Sequence, residues 1–149
     1  MKGLRIGGLN SQADPAGLLT LLQALGGFVL DHKWSLSAAE LWLFPDAPAE
    51  QHAYARRASD GVAWLSGAGL LVLAACVTVA NWGAFLAFPA SAAIEFASPP
   101  QSEGEVFPIQ HPLAVAEVQA VDGESFEVYS RLPDVCALIR QRFAAVECG

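Results

Sequence analysis

Apolar residues recur along this chain at two periods, and the change from one to the other marks out its elements. Leu4 to Leu9 suits a short strand. Asp14 as N-cap and Pro15 at the first helical position open a helix, Leu18, Leu21, Leu22 and Leu25 recur at helical spacing, and Gly26-Gly27 stop it. Phe28 to Leu36 reads as a strand. Ser37-Ala-Ala-Glu40 fits a capping box for a short helix ending before Pro45, with Leu41 to Phe44 equally readable as strand. Asp46 and Pro48 open a further helix that carries Tyr54, Ala58, Val62 and Leu65 on one side.

Between Asp60 and Glu95 no side chain is charged, and from Ala58 to Ser130 there is no Lys or Arg. Hydropathy over Val62 to Ala80 averages roughly 2, enough to raise a membrane span, and Arg56-Arg57 would hold its N-terminal side in the cytoplasm. Against this, Gly67, Gly69 and Gly83 interrupt the run, Asn81 sits in it, and Val72, Val77, Thr78 and Val79 are β-branched. The favoured parse is a buried hairpin: Leu70 to Ala80 as one strand, Asn81-Trp82-Gly83 as the turn, Ala84 to Phe88 as the second. The span, near residues 62–88, stays as the alternative.

Beyond this stretch, residues 98–104 are polar and rich in turn formers, the best candidate for a flexible loop. Strands follow near Val106 to Gln110, Leu113 to Ala120 and Phe126 to Ser130. A three-residue loop, Val121-Asp122-Gly123, pairs Val118 with Phe126 and Ala116 with Val128, and sets Glu117 opposite Glu127 on a solvent-facing side with Gln119 beside them. Like charges there cost a few tenths of a kcal/mol, roughly, unless a partner relieves them. A helix from Pro133, with Asp134 in its first turn, buries Val135, Leu138, Ile139, Phe143 and Val146. These elements predict a single α+β domain over residues 1–149, a mixed or antiparallel sheet with helices packed against it.

Composition sharpens this picture mainly through charge. The 149 residues are about one domain's worth, 54% hydrophobic and 15% charged, which excludes a disordered chain. Net charge is −7, unevenly placed: residues 1–94 hold six acids against five bases, residues 95–149 nine acids against Arg131, Arg140 and Arg142. Such a surface repels phosphate backbones and favours a basic protein partner over nucleic acid. The N-terminus does not read as a signal peptide, so the expected compartment is the cytoplasm, with the inner membrane as the alternative.

Candidate chemistry is sparse. Cys76, Cys136 and Cys148 show no CxxC spacing and lie far in sequence from His32, His52 and His111, so neither a metal site nor another cofactor is expected. Gly3-x-x-x-Gly7-Gly8 lacks the GK[ST] ending of a phosphate loop and reads as a strand-end turn. Cys76 reads as core and Cys148 as free to be exposed. Glu117, Glu124 and Glu127 could supply paired carboxylates for a small hydrolase, but on an exposed face both members of a pair would stay ionised. Trp82, at the expected turn tip, is the aromatic best placed as an interface anchor.

The segment HPLAVAEVQAVDGESFEVYSRLPDVCALIRQRF, His111 to Phe143, resembles small bacterial immunity proteins of type VI and contact-dependent toxin systems, in its acidic strand pair with the aromatic-rich SFEVYS closed by a short amphipathic helix. The resemblance covers the C-terminal third and implies a cytoplasmic, non-enzymatic inhibitor that binds a basic toxin domain. The contact surface expected on that basis is Glu103, Glu105, Glu117, Asp122, Glu124, Glu127, Trp82 and Tyr129.

Overall fold

The computed structural model describes residues 3–9, 17–92 and 111–148, and they form an α+β domain built on one antiparallel sheet. The expected Asp14 N-cap, the loop at 98–104, the strand near Val106 to Gln110, and Glu103 and Glu105 lie outside the described residues. The strands are β1 (Gly3–Gly7), β2 (His32–Leu43), β3 (Val62–Ser66), β4 (Val77–Pro89), β5 (Ala116–Val121), β6 (Ser125–Ser130) and β7 (Val146–Cys148). Their order is β3-β2-β4-β5-β6-β1-β7, and every neighbouring pair is antiparallel. The helices are α1 (Gly17–Leu25), α2 (Gly27–Leu30), α3 (Ala49–Asp60), α4 (Gly67–Cys76) and α5 (Pro133–Arg142).

Strand alternation sends Leu4 and Ile6, Trp34 and Leu36, Phe85 and Ala87, and Phe126 and Val128 to one face, where they meet the leucine stripe of α1, Leu70 and Leu73 of α4, and Val135 and Ile139 of α5 in the main core. Burying each Leu or Phe side chain of this set contributes about 1.5–3 kcal/mol against the entropy of ordering it.

Four sequence expectations give way to tertiary packing. First, Phe28 does not begin a strand: Gly26 at φ 56° restarts the chain as α2, whose Val29 is fully buried and whose carbonyl accepts from Trp34 Nε1 at 3.1 Å. Second, Ser37 to Glu40 is not a capping box. β2 runs on to Leu43 through a bulge where Ala38 sits at φ 49°, because Ser37 is drawn into the sheet between Val62 and Ala84. Third, Val62 and Leu65 leave the helix pattern of Tyr54 and Ala58. Gly61 ends α3, and both residues enter β3.

The fourth concerns the uncharged centre. The hairpin of Leu70 to Ala80 and Ala84 to Phe88 does not form; α4 occupies the first half, and β4 then passes straight through Asn81-Trp82-Gly83 without turning. Ser66 caps the helix, its Oγ accepting from Gly69 N at 3.0 Å, and the β-branched Val77, Thr78 and Val79 begin the strand as their propensity favours. The ten residues of α4 are about half a span, and among the described residues no helix is long and apolar enough to cross a membrane.

The β5–β6 hairpin also takes a different register. Asp122 (φ 54°) and Gly123 (φ 65°) are both left-handed, Glu124 N donates to the Val121 carbonyl, and Val121 pairs with Ser125. Val118 therefore faces Val128, Ala120 faces Phe126, Glu117 faces Tyr129 and Gln119 faces Glu127, so the two glutamates are diagonal neighbours and not opposite each other. At the C-terminus, Val135 and Ile139 are buried while Leu138 and Phe143 are half-buried. Val146 belongs to β7 and is 69% exposed, so it lies outside the helix stripe.

Candidate functional site

The second face of the sheet carries the polar half of each alternating strand, arranged in rows across it. One row runs Trp64, Ser35, Leu86, Glu117, Tyr129; the next runs Val62, Ser37, Ala84, Gln119, Glu127, Arg5, Val146. Glu127 is the centre of the bonded group: its Oε1 accepts from Tyr129 Oη at 2.8 Å and from Cys148 Sγ at 3.5 Å, and its Oε2 pairs with Arg5 at 3.4 Å. Gln119 Nε2 donates to Glu117 Oε2. Leu86, Phe88, Ala114 and Tyr129 form a second apolar cluster beside them, with Cys148 packed against it.

Burial sets the character of this group. Glu117 and Tyr129 are fully buried and Glu127 is 9% exposed, so the expectation that the two glutamates stand on a solvent face is overturned. The reason is that both faces of the sheet are covered at this point, which alternation alone does not encode. Desolvation, reinforced by the Glu127 carboxylate and Cys148, pushes the Tyr129 phenol far above its ordinary value. Burial likewise pushes the Cys148 thiol up. A thiol raised in this way beside an acid is the reverse of an activated nucleophile, and the bonds of the group tie β6, β1 and β7 together. Cys148 is half-buried where exposure was expected, and Cys76 is half-buried where full burial was expected. Among the described residues no group of three or more His, Cys, Asp or Glu is placed to hold a metal ion.

The remaining expected contact residues gather at one end of the sheet. Trp82 is 45% exposed, in mid-strand and not at a turn tip. It pairs in register with Glu40 across β2–β4, next to the bulge at Ala38, and Asn81 Nδ2 donates to Glu40 Oε2 at 3.0 Å. The β5–β6 tip closes on the same place: Gly123 N donates to the Asn81 carbonyl at 2.9 Å, which sets the exposed Asp122 and Glu124 beside it. Between them lies a shallow depression lined by Ala38, Trp82, Gly83, Ala84, Gln119, Ala120 and Val121.

Two residues of this end escaped the sequence reading. Glu40 and Trp42, the latter 46% exposed, alternate with Leu41 and Leu43, which pack on the core. That period-2 pattern was the available signal, masked by the capping-box reading of the same residues. Glu40, Trp82, Asp122 and Glu124 therefore share one exposed end, while Glu117, Glu127 and Tyr129 are held under the second face. Comparisons with protein-family models, with curated proteins and with solved structures find no match to this chain.

Proposed function

We propose that this protein is a non-enzymatic binding module, an immunity-type inhibitor that neutralises a bacterial toxin in the cytoplasm by engaging a basic surface through the Trp82 end of its sheet. The observation that carries the reading is an exposed tryptophan held on a rigid strand among Glu40, Asp122 and Glu124. A half-exposed indole supplies the large, low-entropy contact typical of an interface anchor, and the acids around it attract and orient Lys or Arg side chains, including over the indole face. The bonded group under the second face points away from catalysis, since its thiol and phenol are both driven toward their protonated forms.

The test is affinity capture of the tagged protein from its native host without detergent, followed by expression of any stoichiometric partner alone and together with this chain. The expected partner is basic, arrests growth by itself, and is neutralised by co-expression. Trp82→Ala should weaken that complex by about 30-fold or more, the effect of losing an aromatic anchor worth ~2 kcal/mol. Asp122→Lys with Glu124→Lys should slow association and flatten its salt dependence. Equal affinity of all three proteins for the partner would remove this end of the sheet as the contact surface, and a partner without toxicity would remove the immunity reading. Lysines at Glu117 and Glu127 would test only the fold, because those side chains are buried.

A further inference from the structure

The two ends of the sheet are finished differently. At one end β7 is three residues long, and its Glu147 is ion-paired to Arg140 at 3.2 Å, a short and charged edge of the kind that discourages further pairing. At the other end, the far half of β2 lies beside α3, with Ala39 to Leu43 facing His52, Ala55 and Arg56 across a groove. β3 touches α3 and α4 but carries no charged residue along its edge. It is the terminal strand, and among the described residues its strand neighbour is β2 alone, in five unbroken antiparallel pairs from Lys33–Ser66 to Ser37–Val62. Val62-Ala-Trp-Leu-Ser66 contains no charge, no proline and no bulge.

The surface next to this edge is equally unusual. α4 follows β3 without a linker, and its outward positions Ala68, Val72 and Ala75 are exposed and apolar, with Val72 54% exposed. On the adjoining α2, Leu30 is 57% exposed. Helices on a protein surface ordinarily turn a charged face outward, and α4 has none.

We propose that the chain forms a two-fold homodimer in which β3 pairs antiparallel with β3 of a second copy, extending the sheet from seven strands to fourteen. The choice of a second copy rests on charge. A chain of net −7 repels itself over most of its surface, and it meets its own copy at least cost where neither copy carries a charge, which is the stretch from Gly61 to Ile94 to which β3 and α4 belong. Two-fold pairing centred on β3 sets Trp64 against Trp64, Ala63 against Leu65 and Val62 against Ser66, so no like charges oppose each other. Ala63 and Leu65 already belong to the main core, and Trp64 already packs on Phe88 at 5.4 Å between ring centroids, so the edge is held rigid for a partner strand. This inference is independent of the inhibitor reading above, which uses the end of the sheet around Glu40, Trp82 and the β5–β6 tip and no residue of β3 or α4.

Two measurements on the full chain test it together. Sedimentation velocity should give twice the mass of one chain at protein concentrations up to about 100 μM, where an interface of standard size is populated. Val62→Lys, which places an edge lysine at a half-exposed position, should raise the dimer dissociation constant at least about tenfold while circular dichroism remains that of the parent. Amide exchange of residues 62–66 in the unsubstituted protein should slow as concentration rises through the dissociation constant. A monomer throughout the range overturns the proposal, as does a dimer whose β3 amides exchange at a rate independent of concentration, or one that Val62→Lys leaves equally tight.

Discussion

At Gly67 two backbones meet with no room for a side chain. A Cβ there would lie 1.9 Å from the Val29 carbonyl oxygen and 2.6 Å from its carbon, so α4 can start where it does only because this residue is glycine. Gly67→Ala must separate α4 from α2, and is expected to cost about 2–3 kcal/mol in urea denaturation; a loss below ~0.5 kcal/mol would mean the contact relaxes freely. Tyr129→Phe keeps the ring and removes the donor that Glu127 Oε1 receives at 2.8 Å. A nine-tenths buried carboxylate losing one of its donors should cost about 1–3 kcal/mol by the same measurement. That Glu127 and Tyr129 share a face was readable in SFEVYS, because alternation puts them on one side and Phe126 and Val128 on the other. Their burial was not readable, since a period of two says which residues share a face and nothing about what covers it.

Elements were legible where a single period persists. The leucine stripe of α1 and the Pro133 start of α5 appear as their patterns predict, and the β5–β6 pair forms where expected though in another register. The centre was not, because ten apolar residues with no polar face have neither the 3.6 nor the 2.0 period, and helix and buried strand look alike in such a run. Only the cap at Ser66 and the close approach at Gly67 decide between them, and the second is a contact with a residue 38 positions earlier. The turn leading into β5 carries its own pH dependence. His111 is 4% exposed, stacks edge-on against Phe88, accepts from Leu113 N at its Nδ1 and takes the Ala114 amide on its carbonyl. Burial lowers its pKa below the ordinary 6.5. The fold thus favours the neutral ring, so this residue's contribution is complete above 6.5 and is lost as pH falls from there through the lower folded value. The denaturation midpoint should drop between about pH 7 and pH 5 more steeply in the parent than in His111→Phe, which keeps the ring packing and has nothing to protonate. Parallel slopes would show that the histidine is equally protonatable in both states.

For the whole molecule, the class of fold was within reach of the chain's patterns and the strand order was not. Alternating strands and the β5–β6 hairpin argue for an α+β domain with a mixed or antiparallel sheet, and the sheet that forms is antiparallel although its first half runs strand-helix-strand along the chain. No local signal, however, places β1 between β6 and β7, because its pairings, Leu4 with Val128 and Gly3 with Cys148, join residues more than a hundred positions apart. That placement reaches beyond the finished structure. Among the described strands β1 comes first along the chain and the two that flank it come last, so Leu4 and Ile6 have no sheet to enter until β6 has emerged. The central pairs β2–β3 and β2–β4, joined through α3 and α4, can close within a short stretch of chain, whereas β1 waits unpaired for β6. The folding chain thus holds an open place beside β6 that β1 alone fills, and closing the sheet there waits on contacts between residues more than a hundred positions apart.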